Sequence, residues 1–95
     1  MFIHIFGFRW KPGVTEGHKA RAAEEILDFR DNIPGLIEVY IGSNVSPRGQ
    51  GYSFVGLMQF TDRAAADAYS THPAHLALLE WLVPLMDPVE LDFET

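Results

Sequence analysis

The sequence predicts an α+β protein, a split β-α-β-β-α-β unit with one four-stranded antiparallel sheet. Three observations predict it. Four segments have strand composition. Both long connections, between the first and second and between the third and fourth of these, carry helical periodicity. The strands nearest the sheet centre are apolar on two faces rather than one.

The first strand spans residues 2–10, rich in Phe and Ile and closed by Trp10. Phe2, His4, Phe6, Phe8 and Trp10 alternate with Ile3, Ile5, Gly7 and Arg9. A strand with one wet face would show polar residues at every second position, and this one does not, so cover is expected on both sides. Pro12-Gly13 ends it, and Thr15 is placed to cap a helix. Ala22, Ile26, Phe29 and Ile33 recur at helical spacing until Pro34-Gly35 breaks the pattern. His18, in the first turn, reads as a surface residue.

Residues 36–42 form the second strand, with Ile37, Val39 and Ile41 on one face and Glu38 and Tyr40 on the other. A Pro- and Gly-bearing loop over 43–51 precedes a third strand over 52–60, again apolar on both faces. Gly56 there leaves a void or marks a bulge. Thr61 or Asp62 caps a short helix to Ser70, with Ala65, Ala68 and Tyr69 inward. Thr71-His72-Pro73 makes a corner, and Pro73 suits the first position of a helix running to Met86. Leu76, Leu79, Leu82 and Val83 form its stripe, with Leu78, Leu85 and Trp81 broadening it, and Asp87-Pro88 stops it. Val89, Leu91 and Phe93 alternate with Glu90, Asp92 and Glu94, an edge strand with one acidic face.

This order is the ferredoxin-like arrangement, in which the helices cover one sheet face and leave the other bare. Ile3, Ile5, Val55 and Leu57 fall on the bare face, so a second copy is expected to pack there and close a dimeric α/β barrel. The 95 residues fit one domain, 1–95. Seven Lys and Arg against 13 Asp and Glu give a net charge of −6, which argues against nucleic acid and anionic membranes as partners. The absence of cysteine excludes disulfides and thiolate chemistry. No signal-like start or membrane-length apolar run is present, so a cytoplasmic location is the expectation.

For chemistry, His75 stands out. In the first turn of a helix, the dipole disfavours imidazolium, and a neutral imidazole can act as general base. Tyr69 lies one corner away and can bond His75 or polarise a carbonyl. The same two residues also fit a first-turn capping contact and a core aromatic. His4, mid-strand, is either a hydrogen-bonded core residue or a cavity residue that orients a ligand. Any hollow left among the aromatic side chains, Phe6 and Phe8 included, suits a flat apolar ligand. His72 and His75 are three apart across a proline corner with no third ligand, which does not make a metal site. No phosphate-binding glycine loop is present, and nothing in the motifs implies a cofactor.

The runs Trp10-Lys11-Pro12-Gly13-Val14-Thr15, Ile33-Pro34-Gly35, Gly51-Tyr52, Asp67-Ala68-Tyr69, His72-Pro73-Ala74-His75 and Asp92-Phe93 span nearly the whole chain. Together they resemble the stress-responsive dimeric α/β-barrel (Dabb) family. The resemblance implies a ferredoxin-like protomer and a homodimer. It also implies, from the family's cofactor-free plant polyketide cyclase, His75 as general base, Tyr69 as its partner and His4 lining the cavity. That cyclase has a histidine where this chain has Phe54 and a tyrosine where it has Ile26. The pocket implied here is therefore more apolar and its substrate different. His4, Phe6, Phe8, Ile26, Phe54 and His72 are the expected substrate-binding residues. A lyase or cyclase acting on a small aromatic or β-keto compound is one expected function. The alternatives are a non-catalytic, stress-associated or ligand-binding dimer with the space beside His75 filled by Phe54, Ile26 and Trp81, and, by fold analogy, a relative of small monooxygenases or haem proteins.

Overall fold

A computed structural model describes residues 1–95. Strand β1 (Phe2–Trp10) is central, pairing antiparallel with β3 (Phe54–Phe60) on one side and with β4 (Met86–Glu94) on the other. β2 (Leu36–Ser43) lies outside β3, so the sheet order is β2-β3-β1-β4. This is the ferredoxin-like α+β fold that the sequence predicts. Helices α1 (Glu16–Asn32), α2 (Arg63–Ser70) and α3 (Pro73–Leu82) complete it.

The core forms where α1 and α3 meet the even-numbered face of β1. Phe6 and Phe8 are buried there against Ile26, Met58, Phe60, Leu78 and Leu82. The α1 stripe is as expected, with Ala22, Ile26, Phe29 and Ile33 all buried. Thr15 caps α1 by accepting from the His18 amide at 3.1 Å, while His18 Nδ1 accepts from the Thr15 amide. His18 is therefore half of a reciprocal capping box, a part more often taken by Glu or Gln.

Five further expectations are corrected. Ile37 does not face inward: a bulge between Leu36 and Glu38 sets it outside the ladder, and it is exposed. In α2 it is Tyr69 that is buried, and Ala68 faces out. α3 ends at Leu82 rather than Met86, because Pro84 has no amide to continue the helix; a 3-10 turn over Val83–Leu85 leads into β4. Its buried residues are Leu78 and Leu82, whereas Leu76 and Val83 are exposed. Gly56 marks neither a void nor a bulge. It pairs in register with Phe6, and a Cβ there would collide with the end of the Phe6 ring.

One glycine turn places the helix that carries Tyr69. Gly35, at φ +80°, turns the chain into β2, and a Cβ there would come within 2.5 Å of the Ala65 Cβ. Its carbonyl accepts from the Thr61 amide at 2.9 Å, which ties the start of α2 to the α1–β2 turn. The opposite sheet face has no helix. Ile3, Ile5, Val55 and Leu57 lie on it, joined by Tyr40, Leu91 and Phe93.

Candidate active site

Antiparallel pairing puts His4 opposite Asp92 and Phe6 opposite Glu90, on the side of the sheet that carries the helices. α2 ends at Ser70 and α3 begins at Pro73, so Tyr69 and His75 descend on that same corner of the sheet. Two adjoining hollows result, of about 150 and 240 Å³. Four side chains line both: His4, Tyr69, His75 and Glu90. The smaller hollow adds Asp67, Ser70 and Asp92 beside Phe2, Phe60 and Ala66, and is the more polar of the two. The larger is walled by Phe6, Phe8, Ile26, Met58, Leu78 and Leu82 among others and is apolar.

His75 Nδ1 lies 3.0 Å from the Ser70 carbonyl oxygen. A carbonyl only accepts, so Nδ1 carries the proton and Nε2 holds the free lone pair. Burial pushes the His75 pKa below its ordinary value; the nearby His4 and His72 act in the same direction, opposed by the Ser70 hydrogen bond and the Glu90 charge. The imidazole is therefore neutral at pH 7 and able to take a proton.

Tyr69 does not hydrogen-bond His75. Their rings pack at 4.2 Å between centroids, tilted by 33°. Burial, with the Glu90 charge adding to it, raises the Tyr69 pKa far above the usual phenol range. The hydroxyl stays protonated and can serve as a donor, not as a base. His4 Nδ1 lies 2.6 Å from Asp92 Oδ1 and its ring stacks on Phe6. His4 Nδ1 donates to this carboxylate, which fixes the ring's orientation.

Six of the expected residues thus converge: His4, Phe6, Phe8, Ile26, Tyr69 and His75. Phe54 and His72 do not. Phe54 stacks on Phe8 at 5.1 Å and meets Trp10 edge-on, away from both hollows. His72 is the N-cap of α3, its Nδ1 accepting from the Ala74 amide at 3.1 Å. Trp81 is held on the surface side by Glu25 and Arg21. The space beside His75 is therefore open rather than filled by Phe54 and Trp81, and Ile26 forms one wall of it.

Glu90 and Asp92 were not among the expected residues. The antiparallel register carried the signal: once Phe2 is set opposite Glu94, each even residue of β4 shares a face with an even residue of β1. No three His, Asp or Glu side chains are grouped to hold a metal ion. No helix is long and apolar enough to cross a membrane.

Olivetolic acid cyclase of Cannabis sativa is 25% identical over 75 residues, covering 77% of this chain and 74% of the cyclase. A dimeric ferredoxin-like protein of unknown function from Jannaschia sp. CCS1 is 30% identical and superposes with a TM-score of 0.81, covering 99% of this chain and 98% of that one. Hydroxynitrile lyase from Passiflora edulis superposes with a TM-score of 0.88 at 18% identity, covering 97% and 90% of the two chains, and so shows the shared fold. The model of the stress responsive A/B barrel domain, Dabb, matches residues 2–95, and the chain belongs to that family.

Proposed function

We propose that this chain is a cofactor-free lyase or cyclase that works as a homodimer. His75 removes a proton next to a carbonyl of a small aromatic or β-keto compound, and Tyr69 donates to the oxygen on which charge develops. The observation that carries this reading is the bond from His75 Nδ1 to the Ser70 carbonyl. It leaves Nε2 as a free base on a ring that borders both hollows. Abstraction by Nε2 turns the carbonyl compound into its enolate and His75 into imidazolium. The protonated Tyr69 stabilises the enolate oxygen, and the enolate then attacks a second carbonyl or expels a leaving group. His75 returns its proton to the product oxygen or leaving group. The apolar hollow holds the body of the substrate and keeps water from the enolate.

The second copy is proposed to pack on the helix-free sheet face, through Ile3, Ile5, Val55 and Leu57. The Jannaschia relative, a dimeric protein at 30% identity, supports the homodimer, and the bare apolar face suggests where the copies meet.

The test is α-proton exchange in D2O, followed by NMR on a panel of aryl ketones and β-keto esters. The wild-type chain should accelerate exchange on at least one of them. His75→Ala should lose about two to four orders of magnitude of that acceleration, the usual worth of a positioned base, with the fold unchanged by circular dichroism. Exchange that survives His75→Ala, or a wild-type chain that binds the panel without exchanging any of it, would overturn the catalytic reading. The latter result would establish a ligand-binding dimer instead.

A further inference from the structure

We infer that the hollow beside His75 selects a cationic ligand, an apolar amine, and that Glu90 is the residue that sets this preference. The inference rests on reading that hollow as the active site and names the charge of what enters it.

The polar hollow contains three carboxylates, Asp67, Glu90 and Asp92, and neither hollow is lined by a Lys or Arg. The elements around it supply almost no positive charge. α2, α3 and β4 together hold one basic residue, Arg63, and its guanidinium lies on the surface beside Glu94. Asp92 has a partner in His4. Glu90 is solvent-exposed, its carboxylate has no hydrogen bond and no ion pair, and it lines both hollows where they meet. An anionic substrate would meet an uncompensated carboxylate there, and like charges at close range cost binding. An ammonium group would find a counter-ion in Glu90 and the ring of Tyr69 nearby for a cation–π contact.

The size of the larger hollow limits the rest of the ligand. A cavity of about 150 Å³ accepts benzene. The 240 Å³ here fits one aromatic ring carrying a chain of a few atoms. Its walls of Phe6, Phe8, Ile26 and Met58 offer such a ring dispersion contacts and no polar competitor. The substrate class is therefore an amino ketone with one aromatic ring, in place of a carboxylate or phosphate ester.

Titration calorimetry with three probes of matched shape tests this: 2-phenylethylamine, 2-phenylethanol and 3-phenylpropanoate, at neutral pH and low salt. The amine should bind about threefold or more tighter than the alcohol, the scale of a partly exposed ion pair, and the carboxylate weakest. Glu90→Gln should bring the amine-to-alcohol ratio close to one and leave the alcohol's affinity nearly unchanged. NMR shifts of the His75 ring on titration place the probes in the hollow, whichever variants fold. A carboxylate that binds as well as the amine, or an amine preference that survives Glu90→Gln, overturns the charge selection and leaves the proton-transfer reading standing. No binding by any probe at millimolar concentration also overturns the charge selection, while the exchange panel alone decides the proton-transfer reading.

Discussion

At the residue scale, the proposed proton transfer depends on a neutral His75 beside a protonated Tyr69, and pH separates the two. The His75 pKa lies below its ordinary 6.5, chiefly through burial. Activity should therefore stay level as the pH falls through about 6.5 and drop only below it, where Nε2 becomes protonated. The same shift links to stability. The unfolded chain takes up a proton near pH 6.5 that the folded chain refuses, so acidification through that range favours unfolding. Thermal melts at about pH 7.5 and about pH 5.5 should show a larger loss for the wild type than for His75→Gln. Equal losses would mean that His75 is not held neutral. Tyr69 shifts the other way, so in an alkaline absorbance titration one of the three tyrosines should ionise late. Tyr69→Phe should abolish that late phase and slow exchange by about ten- to a hundredfold, the range of one lost oxyanion donor or slightly less.

At the element scale, the close approach of β1 and β3 shapes the apolar hollow. Gly56 pairs with Phe6, and its missing side chain lets the ring lie over the β3 backbone. Gly56→Ala would force the ring outward, since the Cε1 and Cε2 atoms of Phe6 would lie only 2.8 Å from the new Cβ. Denaturant unfolding should show a loss of about 1–3 kcal/mol, as for other overpacked cores, and ligands of the hollow should bind more weakly. Unchanged binding would mean that Phe6 does not set the shape of that space. Element structure also explains what the sequence made legible. Local patterns did well: the α1 stripe, the Thr15 cap, and Pro73 opening α3 two residues before His75 all follow from short-range chemistry. Ile37 was misread because a bulge shifts alternation by one residue, which composition does not reveal. The pair His4–Asp92 joins residues 88 apart in the chain, and Glu90 enters by the same ladder. Such partners appear only when two strands are set in register, whereas Tyr69 and His75 are six positions apart and were legible together.

At the scale of the whole molecule, β1 couples the site to the helix-free face of the sheet. The strand carries His4 and Phe6 towards the hollows, and Ile3 and Ile5 point the other way. On that face Tyr40 and Leu91 are each 61% exposed and Phe93 is 51% exposed in the lone protomer. This exposed apolar sheet face is where the second copy is proposed to pack. A second sheet packed on it, about 10 Å away, would bury these side chains and brace β1 from behind. The wild-type chain should therefore sediment at twice its 10.7 kDa. Leu57→Asp places a charge amid that face and should yield monomers, because an unpaired buried carboxylate is costly. Leu57 lines neither hollow. If the dimer braces the strand, the monomeric variant should nevertheless bind the phenyl probes several-fold more weakly and show a broadened His4 resonance by NMR. Full-strength binding by the monomer would show that each protomer holds its site without help from its twin. A wild-type chain that sediments as a single protomer would show that the bare face meets water after all.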